Sequence, residues 1–205
     1  MKIYGHPMST CTRKVLTVLA EKGHDAQLVV VDLMKGAQKQ PEHLARHPFG
    51  VIPVLEDGDF TLYESRAIIR YLDQKLPGPS LTPTELRAKA LMDQWLSVEQ
   101  SYFSTPAVKI AFQRVFYPMR GQQSDESVVE AAKAEVARTL DVADKALAGQ
   151  EYLAGSTYSL ADISWMPYLH CLVISKVEDL INDRPNVAAW WKRISARPAW
   201  AKVSS

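Results

Sequence analysis

The sequence predicts an α/β domain followed by an all-helical one, on three observations. Over roughly the first 75 residues, short apolar segments alternate with helical patterns, as parallel βαβ units do. From Leu76 to Thr84 the chain is rich in Pro, Gly, Ser and Thr and has no periodicity, so it reads as a linker. From Glu85 onward the apolar residues recur at helical spacing and no strand is credible. The expected boundaries are a first domain over 1–76, a linker over 77–84 and a helical domain over 85–205.

Each element has its own signal. Lys2 to Tyr4 reads as a strand, and Val15, Leu16, Val18 and Leu19 form the stripe of a helix from Cys11 to about Lys22, stopped by Gly23. Gln27 to Val31 is a β-branched run of the kind buried on both faces of a parallel sheet. Pro41 to Arg46 suits a short helix with proline in its first turn. Asp57-Gly58 between two short apolar segments signals a tight hairpin. Ser65 is placed to cap a last helix with Ile68, Ile69 and Leu72 inward, ending before Pro77-Gly78-Pro79. The order βαβαββα is thioredoxin-like. In the second domain the helices break near Pro118 to Asp125, Gly149 to Ser159 and Asn182 to Pro185, and Ser159-Leu160-Ala161-Asp162 fits a capping box in which Asp162 serves folding.

Composition narrows the function. A hydrophobic fraction of 47% and a charged fraction of 23% describe a globular chain, and a net charge of +1 offers no footprint for nucleic acid. No apolar run approaches the roughly 20 residues of a membrane span, and Met1-Lys2-Ile3-Tyr4-Gly5 lacks the apolar stretch of a signal peptide, so a cytoplasmic protein is expected. Two cysteines, Cys11 and Cys171, make neither a disulfide scaffold nor a metal site.

Two segments carry chemistry. Gly5-His6-Pro7-Met8-Ser9-Thr10-Cys11-Thr12 joins the first strand to the first helix, where unpaired N–H groups and the helix dipole favour an anion. A thiol titrates near 8.5, and lowering it by about two units takes about 2.7 kcal/mol. One hydroxyl bonded to a charge contributes about 1.5–3 kcal/mol, so Ser9 nearly suffices; the alternative is a plain helix cap. In the second segment, His47-Pro48-Phe49-Gly50-Val51-Ile52-Pro53, Pro53 is a candidate cis proline that would turn the Ile52 backbone toward a peptide ligand. Glu64-Ser65 could receive an amino-acid terminus, or could simply begin a helix.

Together these segments resemble a known family. Ser9-Thr10-Cys11-Thr12-Arg13-Lys14-Val15, Lys35-Gly36-Ala37-Gln38-Lys39-Gln40-Pro41-Glu42, His47 standing for an asparagine before Pro48-Phe49-Gly50, and Glu64-Ser65-Arg66-Ala67-Ile68 look like the phi class of the glutathione transferases. The likeness continues through Tyr152-Leu153-Ala154-Gly155, Ser159 to Asp162 and Trp190-Trp191-Lys192-Arg193-Ile194. It implies that Ser9 is the thiolate-stabilising hydroxyl. Gln38 and Lys39 would then meet the glycine carboxylate of glutathione, Ile52 and Pro53 its cysteine backbone, and Glu64 with Ser65 its γ-glutamyl end. Many phi members have His at Gln38 and Gln-Val at Val51-Ile52; both departures leave binding groups in place.

The activity so implied is detoxifying conjugation of glutathione, as co-substrate and without cofactor or metal, to a hydrophobic electrophile by a homodimer. The electrophile pocket is expected between the domains, with Met8 and Met34 from the first and Phe112, Phe116, Tyr117 and Met119 from the second. Two alternatives stand beside it: a thiol transferase using Cys11, which is otherwise a packed small hydrophobe, and a non-catalytic carrier of glutathione adducts and apolar ligands.

Overall fold

The computed structural model describes residues 1–204. The chain forms two units: Met1–Leu81 together with the segment from Arg197, and Thr82–Ala196. The first has the thioredoxin-like order β1 (Lys2–Gly5), α1 (Thr10–Glu21), β2 (Gln27–Val30), α2 (Pro41–Leu44), β3 (Val54–Asp57), β4 (Phe60–Tyr63) and α3 (Ser65–Lys75). The sheet order is β2-β1-β3-β4, with β1 parallel to β2 and the other pairs antiparallel. The β-branched run at β2 predicts a strand covered on both faces, yet β2 lies at the sheet edge and Val30 is 59% exposed. Only one neighbour pairs with it, so β-branching here supports an extended backbone more than burial. The core is Ile3, Val15, Val18, Val54, Leu55, Ile68, Ile69 and Leu72, all fully buried.

Polar contacts tie the helices of this unit down. Lys22, buried at the end of α1, donates to the Asp73 carboxylate, the Asp73 carbonyl and the Pro79 carbonyl, while Asp73 also accepts from the Leu81 N–H. An ammonium with three acceptors is a tolerable buried charge; removing either partner of such a pair typically costs about 3–5 kcal/mol. Beyond α2, Arg46 donates to Glu56 on β3 and lies 4.4 Å above the Tyr4 ring. The Tyr4 hydroxyl, followed by Arg46, holds the Glu56 carboxyl below the ordinary range. Periodicity alone assigns the chain end to the helical domain, whereas α10 (Pro198–Ser204) packs on α1. Arg197 pairs with Glu21, Lys202 with Asp25, and Trp200 is buried.

The second unit contains α4 (Leu86–Val98), α5 (Ser104–Ala111), α6 (Glu126–Leu147), α7 (Leu160–Ile174), α8 (Asp179–Asn182) and α9 (Pro185–Ser195). Two π-helical stretches, Glu99–Phe103 and Phe112–Phe116, interrupt the first helical run on either side of α5. Helix α7 is apolar all round and is the central helix. Its Trp165 stacks on Phe103 at 4.4 Å and meets Trp95 and Trp190 edge-on at 5.7 and 6.0 Å. The capping box at Ser159 and Asp162 forms as the sequence predicts. Asp162 is wholly buried and also accepts from the Leu153 N–H and Trp190 Nε1. Burial pushes its carboxyl upward, and its hydrogen-bond donors pull against that. Among the described residues no helix is long and apolar enough to cross a membrane.

Candidate active site

Sheet register decides what meets what. Tyr4 pairs with Val54, Val54 with Tyr63, and Gly5 with Val30. The residues just beyond these pairs are therefore neighbours at one end of the sheet: His6 to Ser9 after β1, Val31 to Lys39 after β2, Ile52-Pro53 before β3 and Glu64-Ser65 after β4. Four segments of the chain deliver to that end every residue with which the sequence reading associates glutathione.

The segment after β1 is a tight turn closed by the Ser9 N–H donating to the His6 carbonyl at 2.9 Å, with Pro7 in the favoured second position. Ser9 is the N-cap of α1, with its Oγ accepting from the Thr12 N–H at 3.3 Å. The cap and a donating role are compatible: the cap uses a lone pair of Oγ and leaves the O–H as a donor. Arg13 Nε grips the Pro7 carbonyl from the helix at 2.8 Å. The His6 N–H donates to Thr12 Oγ1 at 3.3 Å. A Cβ at Gly5 would stand 2.7 Å from that Thr12 side chain, which is why glycine precedes the turn.

Past β2, Gln38 and Lys39 lie in a single 3₁₀ turn, Ala37–Lys39. Gln38 Oε1 is buried with no partner among the described residues. Lys39 Nζ donates to the Phe49 carbonyl at 3.0 Å, using one of its three N–H groups. The loop that carries Phe49 packs under this turn: at Gly50, with φ +58, a Cβ would meet the Gln38 carbonyl at 2.8 Å. His43 Nε2 bonds the Val51 carbonyl at 2.8 Å, next to the Ile52–Pro53 bond, which is cis. His47 is buried against the Tyr63 ring at 4.5 Å, its Nδ1 without a partner among the described residues, and burial holds its imidazole below the ordinary range against the pull of Glu64. The sequence reading assigns no packing role to His43 or His47 beside Val51 and Tyr63; their spacing of four across a helix end is the signal that was available.

Glu64 has φ 71 and ψ 108, a conformation that side chains rarely adopt. It occupies the cap position of α3 without a side-chain cap bond, and Ser65 is the buried first helical residue. The expectation that Ser65 caps α3 is thus corrected by one residue, because the chain reverses at Glu64. Strain of this kind typically costs about 1–3 kcal/mol and marks functional positions. Glu64→Gly is expected to stabilise the protein by roughly 1 kcal/mol after the entropy cost of glycine, read as a rise in melting temperature.

Met8 and Met34 are exposed on the first unit, and Phe112 and Met119 on the second, where Phe112 also contacts Phe116 at 5.2 Å and Tyr117 at 6.0 Å. Phe116 and Tyr117 are half-buried. Cys11 is half-buried, in contrast to the packed position expected for it, while Cys171 is buried. Among the described residues no group of three His, Cys, Asp or Glu could hold a metal ion.

Residues 1–74 match the family described as glutathione S-transferase, N-terminal domain, and residues 107–198 its C-terminal domain. Glutathione S-transferase F10 of Arabidopsis thaliana is 42% identical over 203 residues, which cover 97% of this chain and 94% of that protein. The crystal structure of glutathione transferase F7 from Populus trichocarpa superposes with a TM-score of 0.94 at 42% identity, covering 99% of this chain and 97% of the other. Glutathione S-transferase I from maize, in complex with an atrazine glutathione conjugate, does so at 0.91 and 35% identity, covering 99% and 95%. Matched in both its units and along nearly its whole length, the chain belongs to the glutathione S-transferase family and within it stands with the phi-class enzymes.

Proposed function

We propose that the chain conjugates the thiolate of glutathione to hydrophobic electrophiles, with the Ser9 hydroxyl stabilising the thiolate. The observation that carries this reading is the Ser9 geometry: its Oγ is fixed by the Thr12 N–H at a helix N-terminus and keeps its O–H to donate. The thiol proton leaves to solvent, the sulfur attacks the electrophilic carbon, and the leaving group departs with its electron pair. Helix α1 adds a few tenths to about 1 kcal/mol of field at the same spot.

The tripeptide lies across the sheet end. Gln38 and Lys39 hold its glycine carboxylate: a buried amide oxygen without partner among the described residues calls for a ligand group, and turned over the amide offers its NH2 there. Ile52, before the cis Pro53, pairs with the cysteine backbone. Glu64 receives the α-amine and Ser65, at the start of α3, the α-carboxylate. Glu64→Gly, though stabilising, should therefore weaken glutathione binding. The candidates for electrophile contact stay those of the sequence: Met8, Met34, Phe112 and Met119, each exposed in its own unit, and the half-buried Phe116 and Tyr117.

Glutathione is the co-substrate, with no cofactor or metal, and likeness to the phi-class enzymes supports a cytoplasmic, detoxifying homodimer. Light scattering at micromolar concentration should read twice 23.0 kDa; a species of 23.0 kDa would contradict the dimer. Parallel assays with an aromatic halide and with hydroxyethyl disulfide test the activity itself. Conjugation without disulfide turnover supports the Ser9 reading. The reverse would move the chemistry to the half-buried thiol of Cys11, and silence in both with retained adduct binding would leave a carrier.

A further inference from the structure

We propose that His6 is a positioning residue for the Ser9 hydroxyl, its imidazole Nδ1 serving as the acceptor that sets the turn from which Ser9 projects. This rests on the Ser9 reading above and adds a residue to it. The Met8 N–H donates to His6 Nδ1 at 3.2 Å, and the Ser9 N–H donates to the His6 carbonyl at 2.9 Å. One residue thus gathers two successive backbone N–H groups of the turn, one with its side chain and one with its main chain. Its own N–H is held by Thr12 Oγ1 at 3.3 Å, and Thr12 supplies the N–H that fixes Ser9 Oγ. The contacts form a closed circuit from His6 through Ser9 and Thr12 back to His6, and the imidazole ties in Met8, the residue bonded to Ser9 in the chain.

The circuit matters because the Ser9 hydroxyl must aim. A hydrogen bond to a charged sulfur weakens steeply as its angle closes, so a small rotation of the turn lowers thiolate stabilisation while leaving the rest of the tripeptide site intact. An accepting Nδ1 also fixes the ring proton on Nε2. Among other side chains, asparagine carries an acceptor the same number of bonds from Cβ, with Oδ1 in the place of Nδ1, and closes the same turn to the N–H two residues on. Glutamine moves the acceptor one carbon too far, and leucine keeps bulk without any acceptor.

The test reads the pKa of enzyme-bound glutathione by thiolate ultraviolet absorbance, with kcat and KM for glutathione, in His6→Leu, His6→Gln, His6→Asn and Ser9→Ala. His6→Leu and His6→Gln are expected to raise the thiol pKa and lower kcat by about three- to ten-fold with KM nearly unchanged, the scale of one neutral hydrogen bond. His6→Asn is expected to restore both. Should His6→Leu fail to fold, the contrast between Gln and Asn decides alone. A thiol pKa unchanged in Leu and Gln, or an Asn variant as impaired as they are, would overturn the role of His6 while a shift in Ser9→Ala kept Ser9 in place. No shift in Ser9→Ala would overturn both.

Discussion

Ser9→Ala is expected to raise the pKa of bound glutathione toward the ordinary thiol range and to lower turnover on an aromatic halide at neutral pH by about ten- to a hundred-fold, the equivalent of a hydrogen bond to a charge. Affinity for glutathione should change little, because the other proposed binding groups come from three other segments at the sheet end. The same substitution removes the cap that Oγ gives to the Thr12 N–H, at a cost of about 0.5–2 kcal/mol in stability. Two effects from one oxygen need a second variant to part them. Ser9→Asp keeps a good cap and offers no O–H, and it places a carboxylate beside the thiolate. It should melt near the parent temperature and yet show a thiol pKa at least as high as that of Ser9→Ala. If both variants kept the parent thiol pKa and turnover, Ser9 would be a helix cap and nothing more.

The parts of the fold and of the candidate site that were legible in the sequence are those set by local chemistry. A strand–turn–helix with a hydroxyl at the cap, a cis proline before a strand, and a Ser-x-x-Asp box all declare themselves within a few residues, and each is present. What escaped depends on partners distant in the chain. The β2 run looks doubly buried until the sheet order leaves it at the edge. Helix α10 continues the helical pattern of the second unit but belongs to the first through Glu21 and Asp25, about 176 residues earlier in the chain. The reversal at Glu64 moves the start of α3 by one residue, because a glutamate at positive φ has no local sequence signal. The π-helical stretches beside α5 are likewise silent, since one extra residue in a turn scarcely alters apolar periodicity over so short a run.

Asp162→Ala should be the most destabilising single change in the second unit. The carboxylate accepts from the Leu153 N–H at 3.0 Å, the Ser159 N–H at 2.8 Å, Ser159 Oγ at 3.1 Å and Trp190 Nε1 at 2.9 Å, and it is wholly buried. Those donors come from the loop before α7, from the cap of α7 and from α9, so one side chain joins three parts of the unit beside the Trp165 cluster. Alanine removes the cap and strands two buried backbone N–H groups and an indole N–H. At about 1–3 kcal/mol for each unsatisfied donor, with some relief from a water entering the space left, a loss of about 4 kcal/mol or more is expected. That is a large share of the 5–15 kcal/mol that usually holds a domain together, and it should appear as a sharply lower melting temperature and a poor yield of folded protein. Asp162→Asn should lose less: one carboxyl oxygen position is kept for Leu153 and Trp190, while its NH2 opposes the Ser159 N–H. The molecules that fold should bind glutathione with near-parent affinity, because every proposed glutathione ligand belongs to the first unit. A variant with the parent melting temperature but no activity would instead put this carboxylate into the chemistry.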